Sequence, residues 1–124
     1  MGDFRDLRVW QDSIKLCKSI YQTTSSFPKN EEFGLTSQMR RAAVSIASNI
    51  AEGSGRQHKK EFIHFIYLAR GSLYELITQI ELARETTLLN AAVCKELLGS
   101  CEILARDLNA LISSLKSTLP GTKN

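Results

Sequence analysis

Residues 38–53 read QMRRAAVSIASNIAEG, and this stretch decides the fold class. Apolar side chains recur in it at intervals of three and four residues, the period of one face of an α-helix. We predict a helix that begins after an N-cap at Asn30, is interrupted at Gly34 and restarts near Thr36. Its predicted core face consists of Leu35, Met39, Ala42, Ala43, Ile46 and Ile50. We expect it to stop at residues 53–55, where glycine permits the left-handed backbone of a C-cap.

Three further segments show the same period, at residues 7–24, at 57–86 and from an N-cap at Asn90 to Pro120. The predicted core face of the first consists of Trp10, Ile14, Cys17 and Tyr21, with Ile20 beside it. That of the third consists of Phe62, Phe65, Ile66, Ala69, Leu73, Leu76, Ile80 and Ala83. That of the fourth consists of Val93, Leu97, Cys101, Leu104, Leu108, Leu111 and Leu115. Four amphipathic helices joined by short loops predict an all-α, antiparallel up-down-up-down four-helix bundle.

The length of 124 residues fits a single domain over 1–124, with short flexible ends at about 1–5 and 118–124. No apolar run approaches the ~20 residues that span a bilayer, and no signal peptide is visible. Three scattered cysteines do not form a disulfide framework, and we interpret them as small buried residues in a reducing compartment. We therefore expect a cytoplasmic protein without a membrane partner.

Positive charge is concentrated in one part of the chain. Residues 34–60 contain five basic residues and a single acidic one, Glu52. The basic residues are Arg40, Arg41, Arg56, Lys59 and Lys60. Such an excess suits an anionic partner, and lysine and arginine neutralise phosphates without sequence-specific geometry. The alternative is a solvated surface that has no partner.

Two helices carry a second line of residues outside the core face. In the second helix the line is Val44, Ala47 and Ala51, whose small side chains permit either tight packing inside the bundle or a subunit interface. In the third helix the line is Ile63, Tyr67, Arg70 and Tyr74. Aromatic residues beside arginine could stack on nucleic-acid bases, but the same residue types are enriched at protein interfaces. We favour an interface, because the line has only one basic residue.

The end of the second helix contains Asn49, Glu52, Gly53 and Gly55, which we interpret as structural. Glu52 and Arg56 are spaced to form an ion pair, and Asn49 could satisfy backbone groups of the loop. A catalytic site would need a nucleophile–base pair, which is not evident. His58 and His64 have no metal-ligand spacing. We predict no catalytic residue, no metal and no cofactor.

The run 38–53, followed by Gly55-Arg56, resembles the signature of the 23S ribosomal RNA intervening-sequence proteins. Further matches are Leu7, Val9-Trp10, Phe27-Pro28, Phe33-Gly34-Leu35, Glu61-Phe62, Ala69-Arg70-Gly71-Ser72-Leu73 and Glu75. The resemblance implies a four-helix bundle that assembles into a ring, a homopentamer, and it brings no enzymatic activity. The family also includes accessory proteins of diversity-generating retroelements, which resemble basic pentameric barrels that bind nucleic acid and a reverse transcriptase.

Together, the residues and the resemblance predict a non-enzymatic homo-oligomer that binds RNA or DNA through a repeated basic surface. One alternative is an adaptor ring that binds a protein such as a reverse transcriptase. Another is a purely structural oligomer. The sequence does not distinguish these three functions.

Overall fold

A computed structural model describes residues 3–120 of the chain. Its helices are α1 (Arg8–Thr24), α2 (Leu35–Ser54), α3 (Lys59–Glu85) and α4 (Ala91–Ser117), with single 3₁₀ turns at Phe4–Asp6 and Lys29–Glu31. No strand occurs within 3–120. Residues 1, 2 and 121–124 of the predicted flexible ends lie outside the described residues, and the flexibility of the ends stays a prediction.

Contacts between side chains show how the helices pair. Ser45 of α2 bonds to Ser72 of α3, while Gly53, further along α2, lies against Phe65, which is earlier in α3. Residue numbers that rise on one helix while they fall on its partner indicate an antiparallel pair. The α3–α4 contacts, Arg70 with Asn109 and Lys59 with Thr118, follow the same rule. The predicted four-helix bundle is confirmed, and its antiparallel pairs are consistent with the predicted up-down-up-down order.

The core faces of α2, α3 and α4 were largely predictable. All six predicted core residues of α2 are buried, as are those of α3 from Ile66 to Ala83. Phe62 and Phe65 are half-buried. In α4, Val93, Leu111 and Leu115 are half-buried, and Cys94 and Ile112 are buried in addition to the four central predicted residues.

The predicted core face of α1 is wrong. Ile14 and Tyr21 are 42% and 43% exposed, and Trp10 and Cys17 are half-buried. The buried face consists instead of Val9, Ser13, Leu16, Ile20 and Thr24. Two of these residues are polar, but their hydroxyls donate to carbonyl oxygens of α1 itself, Ser13 to Trp10 and Thr24 to Ile20, both at 2.7 Å. Because the hydroxyls are satisfied locally, the polar residues can face the core.

The bounds of α2 agree with the predicted restart near Thr36 and stop at 53–55, but both predicted caps are wrong. Asn30 lies in a 3₁₀ turn and caps no helix; α2 begins at Leu35, whose N–H donates to Glu31 Oε1 at 3.2 Å. At the other end, Gly55 has φ −85°, a right-handed conformation, so the predicted left-handed cap is also wrong. The glycine that the fold needs is Gly53, because α3 crosses there with no room for a side chain.

The predicted N-cap of α4 is confirmed, since Asn90 Oδ1 accepts from the Val93 N–H at 2.8 Å. We expect Asn90→Ala to lower the free energy of unfolding by about 1 kcal/mol, because one N–H of the first turn loses its acceptor. Asn90→Ser, which keeps a capping oxygen, should change it by only a few tenths of that amount. Urea denaturation measures both, and equal losses in the two variants would contradict the capping role.

Candidate nucleic-acid and subunit interfaces

The predicted basic cluster is divided into two groups by the length of α2. Arg40 and Arg41 lie in its first half, whereas Arg56, Lys59 and Lys60 follow its end at Ser54. A helix rises about 1.5 Å per residue, so roughly 20 Å separates the groups along the axis. One subunit therefore does not present the five residues as one patch.

Arg40 is held inside the subunit. Its Nε donates to Thr24 Oγ1 at 2.9 Å, and its NH2 donates to the Tyr21 carbonyl oxygen at 3.3 Å. The guanidinium also lies 4.6 Å from the centre of the Tyr21 ring. These contacts join α2 to the C-terminal turn of α1. Much of the hydrogen-bonding capacity of Arg40 is thus already used.

Arg41 is exposed and has no ion pair within residues 3–120. It lines a shallow cavity between α2 and α3 with Gln38, Glu75 and Gln79. Gln79 is only 8% exposed, and its Oε1 has no hydrogen-bond partner among the described residues. The sequence pattern did not single out this glutamine.

The second basic group surrounds the α2–α3 loop, and we call Arg56, Lys59, Lys60 and Lys116 the loop-end group. Arg56 pairs with Glu52 at 2.8 Å, which confirms the predicted ion pair. Lys59 Nζ donates to Thr118 Oγ1, which brings the end of α4 beside the start of α3. We include Lys116 of α4 in the group because it stands two residues before Thr118 in the sequence, although its Nζ lies 5.1 Å from the Tyr67 ring of α3. No sequence pattern connects it with Lys59. Lys60 is exposed and has no ion pair within 3–120.

The N-terminus of α3 lies in the middle of the loop-end group. His58 occupies the N-cap position, and its side chain makes no capping hydrogen bond. The first-turn N–H groups of a helix have no partner within the helix, and the helix dipole adds positive potential there. Lys59 and Lys60 are the first residues of this turn. The N–H groups of Lys59 and Lys60, the helix dipole and the two lysine charges therefore favour an anion at this end of the bundle, whereas the Glu61 carboxylate in the same turn opposes one.

The motif residues at the end of α2 are structural contacts. Asn49 Nδ2 donates to the Ser45 carbonyl oxygen at 2.9 Å and to Ser45 Oγ at 3.1 Å. It therefore bonds to its own helix, and the predicted bond to the backbone of the loop is wrong. Because Ser45 Oγ also bonds to Ser72 Oγ at 2.9 Å, the three side chains form a polar chain between α2 and α3.

The small-residue line of α2 faces an outer groove beside α1, which we call the α1–α2 groove. Its lining residues are Trp10, Ile14, Cys17, Val44, Ala47, Ser48 and Ala51. Ala47 is buried inside the subunit, whereas Val44 is 42% exposed. Trp10, Ile14 and Cys17, which were wrongly predicted to face the core, form the other wall of this groove. An apolar surface remains open between the two helices.

The predicted line on α3 is already occupied by contacts within the subunit. Ile63 is 7% exposed, so little of it is available to a partner. The Arg70 guanidinium lies 4.8 Å from the centre of the Tyr67 ring and 5.7 Å from that of Tyr74, and it donates to Asn109 Oδ1 at 2.9 Å. Lys116 Nζ is 5.1 Å from the Tyr67 ring. Tyr74, at 47% exposure, is the most accessible member.

The three cysteines are free thiols. Cys94 and Cys101 are buried as predicted, whereas Cys17 is half-buried in the α1–α2 groove. Burial raises the pKa of Cys101 to about 12, with a smaller contribution from the charge of Glu102. Burial also raises the pKa of Cys17. Both thiols are therefore protonated at neutral pH, which slows their reaction with oxidants.

No group of three or more histidine, cysteine, aspartate or glutamate side chains is placed to hold a metal ion within residues 3–120. None of the helices described there is both long and apolar enough to cross a membrane.

The fold and surface define a small all-helical bundle with an open apolar groove and a cationic loop end. The model of the 23S rRNA-intervening sequence protein family matches residues 5–110, and the chain belongs to this family. A similar solved structure is a protein of unknown function from the S23 ribosomal protein family of Bacteroides thetaiotaomicron VPI-5482. It is 21% identical, covers 84% of this chain and 97% of its own, and superposes with a TM-score of 0.76, which shows the shared fold. No protein of curated function matches.

Proposed function

We propose that the protein is a non-enzymatic, cytoplasmic homo-oligomer that binds nucleic-acid phosphates through the loop-end group. The observation that carries this proposal is the uncapped N-terminus of α3, which bears Lys59 and Lys60. Cations at the positive end of a helix dipole are unfavourable for the free protein. A bound phosphate would remove that repulsion and accept from the open N–H groups.

Assembly supplies the affinity that one subunit lacks. Four cations per subunit give weak, salt-sensitive binding, but a ring repeats them several-fold, and linked sites bind far more tightly than single ones. The open α1–α2 groove is the surface that supports self-association, since exposed apolar surface marks interaction sites. The family resemblance implies a homopentamer.

The exposed face of Tyr74 supports a second function, that of an adaptor for a protein such as a reverse transcriptase. The Arg70 guanidinium lies over both the Tyr67 and the Tyr74 ring, which favours one arrangement of the three side chains. Preorganised tyrosine and arginine side chains are typical of the energetically dominant residues of protein interfaces. Loss of partner binding in Tyr74→Ala, with assembly intact, would favour this function.

Fluorescence anisotropy with a structured RNA and a matched DNA duplex, titrated across salt, tests the leading proposal. We expect affinity to fall steeply with salt for the native protein. Neutralising the loop-end group with R56Q, K59Q, K60Q and K116Q should lower the affinity at low salt at least about 100-fold, because most phosphate contacts are lost.

The matched control removes the same charge elsewhere on the surface, with K15Q, R84Q, K95Q and R106Q. It should retain most of the native affinity. Equal losses in the control and in the loop-end variant would show that net charge, and not this site, drives binding. Absence of binding by the folded native protein at low salt would overturn the proposal.

A further inference from the structure

Phe33 is the most exposed large apolar residue among those described, at 91%. It lies in the turn between the 3₁₀ turn and α2, two residues before the buried Leu35. A phenylalanine ring in water contributes no hydrophobic stabilisation to the fold. At protein interfaces, such aromatic residues often fill a pocket on the partner. The residues before it, Glu31 and Glu32, are acidic. The turn therefore presents an apolar knob beside negative charge.

A matching depression lies at one end of the α1–α2 groove. Its lining residues are Tyr21, Arg40, Arg41, Val44 and Ser45. Tyr21 and Val44 each expose more than two fifths of their surface, so the walls are apolar. Arg40 and Arg41 make its edge positive. The depression is therefore complementary to the Phe33 turn in both polarity and charge.

Phe33 does not fill the depression of its own subunit. The ring is 91% exposed, and the helix between Leu35 and Val44 carries the depression away from the turn by roughly 14 Å. Both surfaces are open on every copy of the chain. A second copy of the chain therefore offers a depression to the Phe33 turn of the first copy.

We propose that Phe33 of one copy inserts between Tyr21 and Val44 of a second copy, where Glu32 faces Arg41. This inference rests on the homo-oligomer of the proposed function and names the contact that forms it. Knob and depression are different surfaces, so the contact is head-to-tail, a type that closes into a ring when the rotation between copies permits. It also assigns Arg40 and Arg41 to assembly and leaves the loop-end group to the nucleic acid.

Two variants that disable opposite halves of the contact test it. Phe33→Ser removes the knob, and Val44→Glu places a carboxylate in the depression; both positions are exposed, so the fold should persist. We expect each variant alone to be monomeric by analytical ultracentrifugation at concentrations where the native protein is assembled. An equimolar mixture should form a 1:1 dimer, because each variant supplies the half that the other lacks.

Leu68→Ser is the control, since Leu68 is 42% exposed but lies on α3, outside the linings of the depression and of the cavity beside the Phe33 turn. It should assemble like the native protein. If Phe33→Ser also assembles normally, the inference is overturned while the proposed oligomer stands. If the native protein itself is monomeric at tens of micromolar, both fail. Failure of the mixed variants to pair would also overturn the knob-and-depression contact.

Cross-linking locates the contact. Glu32 and Arg41 are exposed and face each other in the proposed contact, and replacing them leaves the Phe33 ring in place. We expect a Glu32→Cys/Arg41→Cys variant on a Cys17→Ser background to form disulfides between copies when oxidised with oxygen and copper phenanthroline, giving a ladder of linked subunits on a non-reducing gel. Adding Phe33→Ser should abolish the ladder. An assembled double-cysteine protein that gives no ladder would contradict the proposed insertion.

Discussion

Gly53→Ala should lower the free energy of unfolding by about 2–3 kcal/mol, although alanine is the better helix former. A Cβ at this position would lie 2.6 Å from Phe65 Cβ, 3.1 Å from Phe62 Cδ1 and 3.3 Å from the Phe62 carbonyl oxygen. Two of these atoms are fixed to the α3 backbone and cannot rotate away. The added methyl group must therefore push α2 and α3 apart, and a close-packed interior resists that movement.

Gly71→Ala is the matched control, because Gly71 lies inside α3 and a Cβ there meets nothing within 4 Å. It should gain about 0.5–1 kcal/mol, the ordinary advantage of alanine over glycine in a helix. Urea denaturation of the two variants should thus give opposite signs for the same chemical change. A neutral or stabilising Gly53→Ala would show that the two helices approach less closely than described.

Gln79→Met should raise the free energy of unfolding by about 1–3 kcal/mol. Gln79 is 8% exposed, and the native fold buries its Oε1 without a donor, so the desolvation cost of that oxygen is not recovered. Methionine has a similar length, fills the same space and carries no strong acceptor. The gain should appear as an upward shift of the urea midpoint with an unchanged slope.

Gln38→Met provides the comparison, because Gln38 lines the same cavity but is exposed. Its effect should stay within about 0.5 kcal/mol of zero, as for most surface substitutions. If Gln79→Met is destabilising, the buried amide must be making hydrogen bonds that the described residues do not provide, for example to ordered water.

Hydrophobic periodicity predicted the fold because the most apolar stripe of α2, α3 and α4 is also the one that is largely buried. It failed for α1, where the buried stripe is less apolar than the stripe beside it. The apolar period predicts a core face that contains Trp10 and Tyr21, whereas the buried face contains Ser13 and Thr24. The hydroxyls of Ser13 and Thr24 donate to carbonyl oxygens of α1, which allows both residues to be buried. Composition alone does not reveal these hydrogen bonds. Side-chain polarity is a poor guide where a local acceptor is available.

The candidate sites were predictable in part. The division of the basic residues follows from helical rise alone and could have been foreseen. By contrast, the bonds from Arg40 to Thr24 and from Lys59 to Thr118 depend on which helices become neighbours. The exposure of Phe33 was the least predictable feature, because a phenylalanine close to a buried leucine is ordinarily expected in the core.

The order of helix pairing also bears on how quickly the chain folds. The most extensive packing joins α2 to α3, which are consecutive and connected by residues 55–58 only. Of the four helix pairs in contact, only α1 with α4 joins distant parts of the chain. Contacts between neighbours in sequence need little loop closure, so helical bundles fold within about microseconds to milliseconds. We therefore expect α2 and α3 to form a helical hairpin early, onto which the outer helices dock.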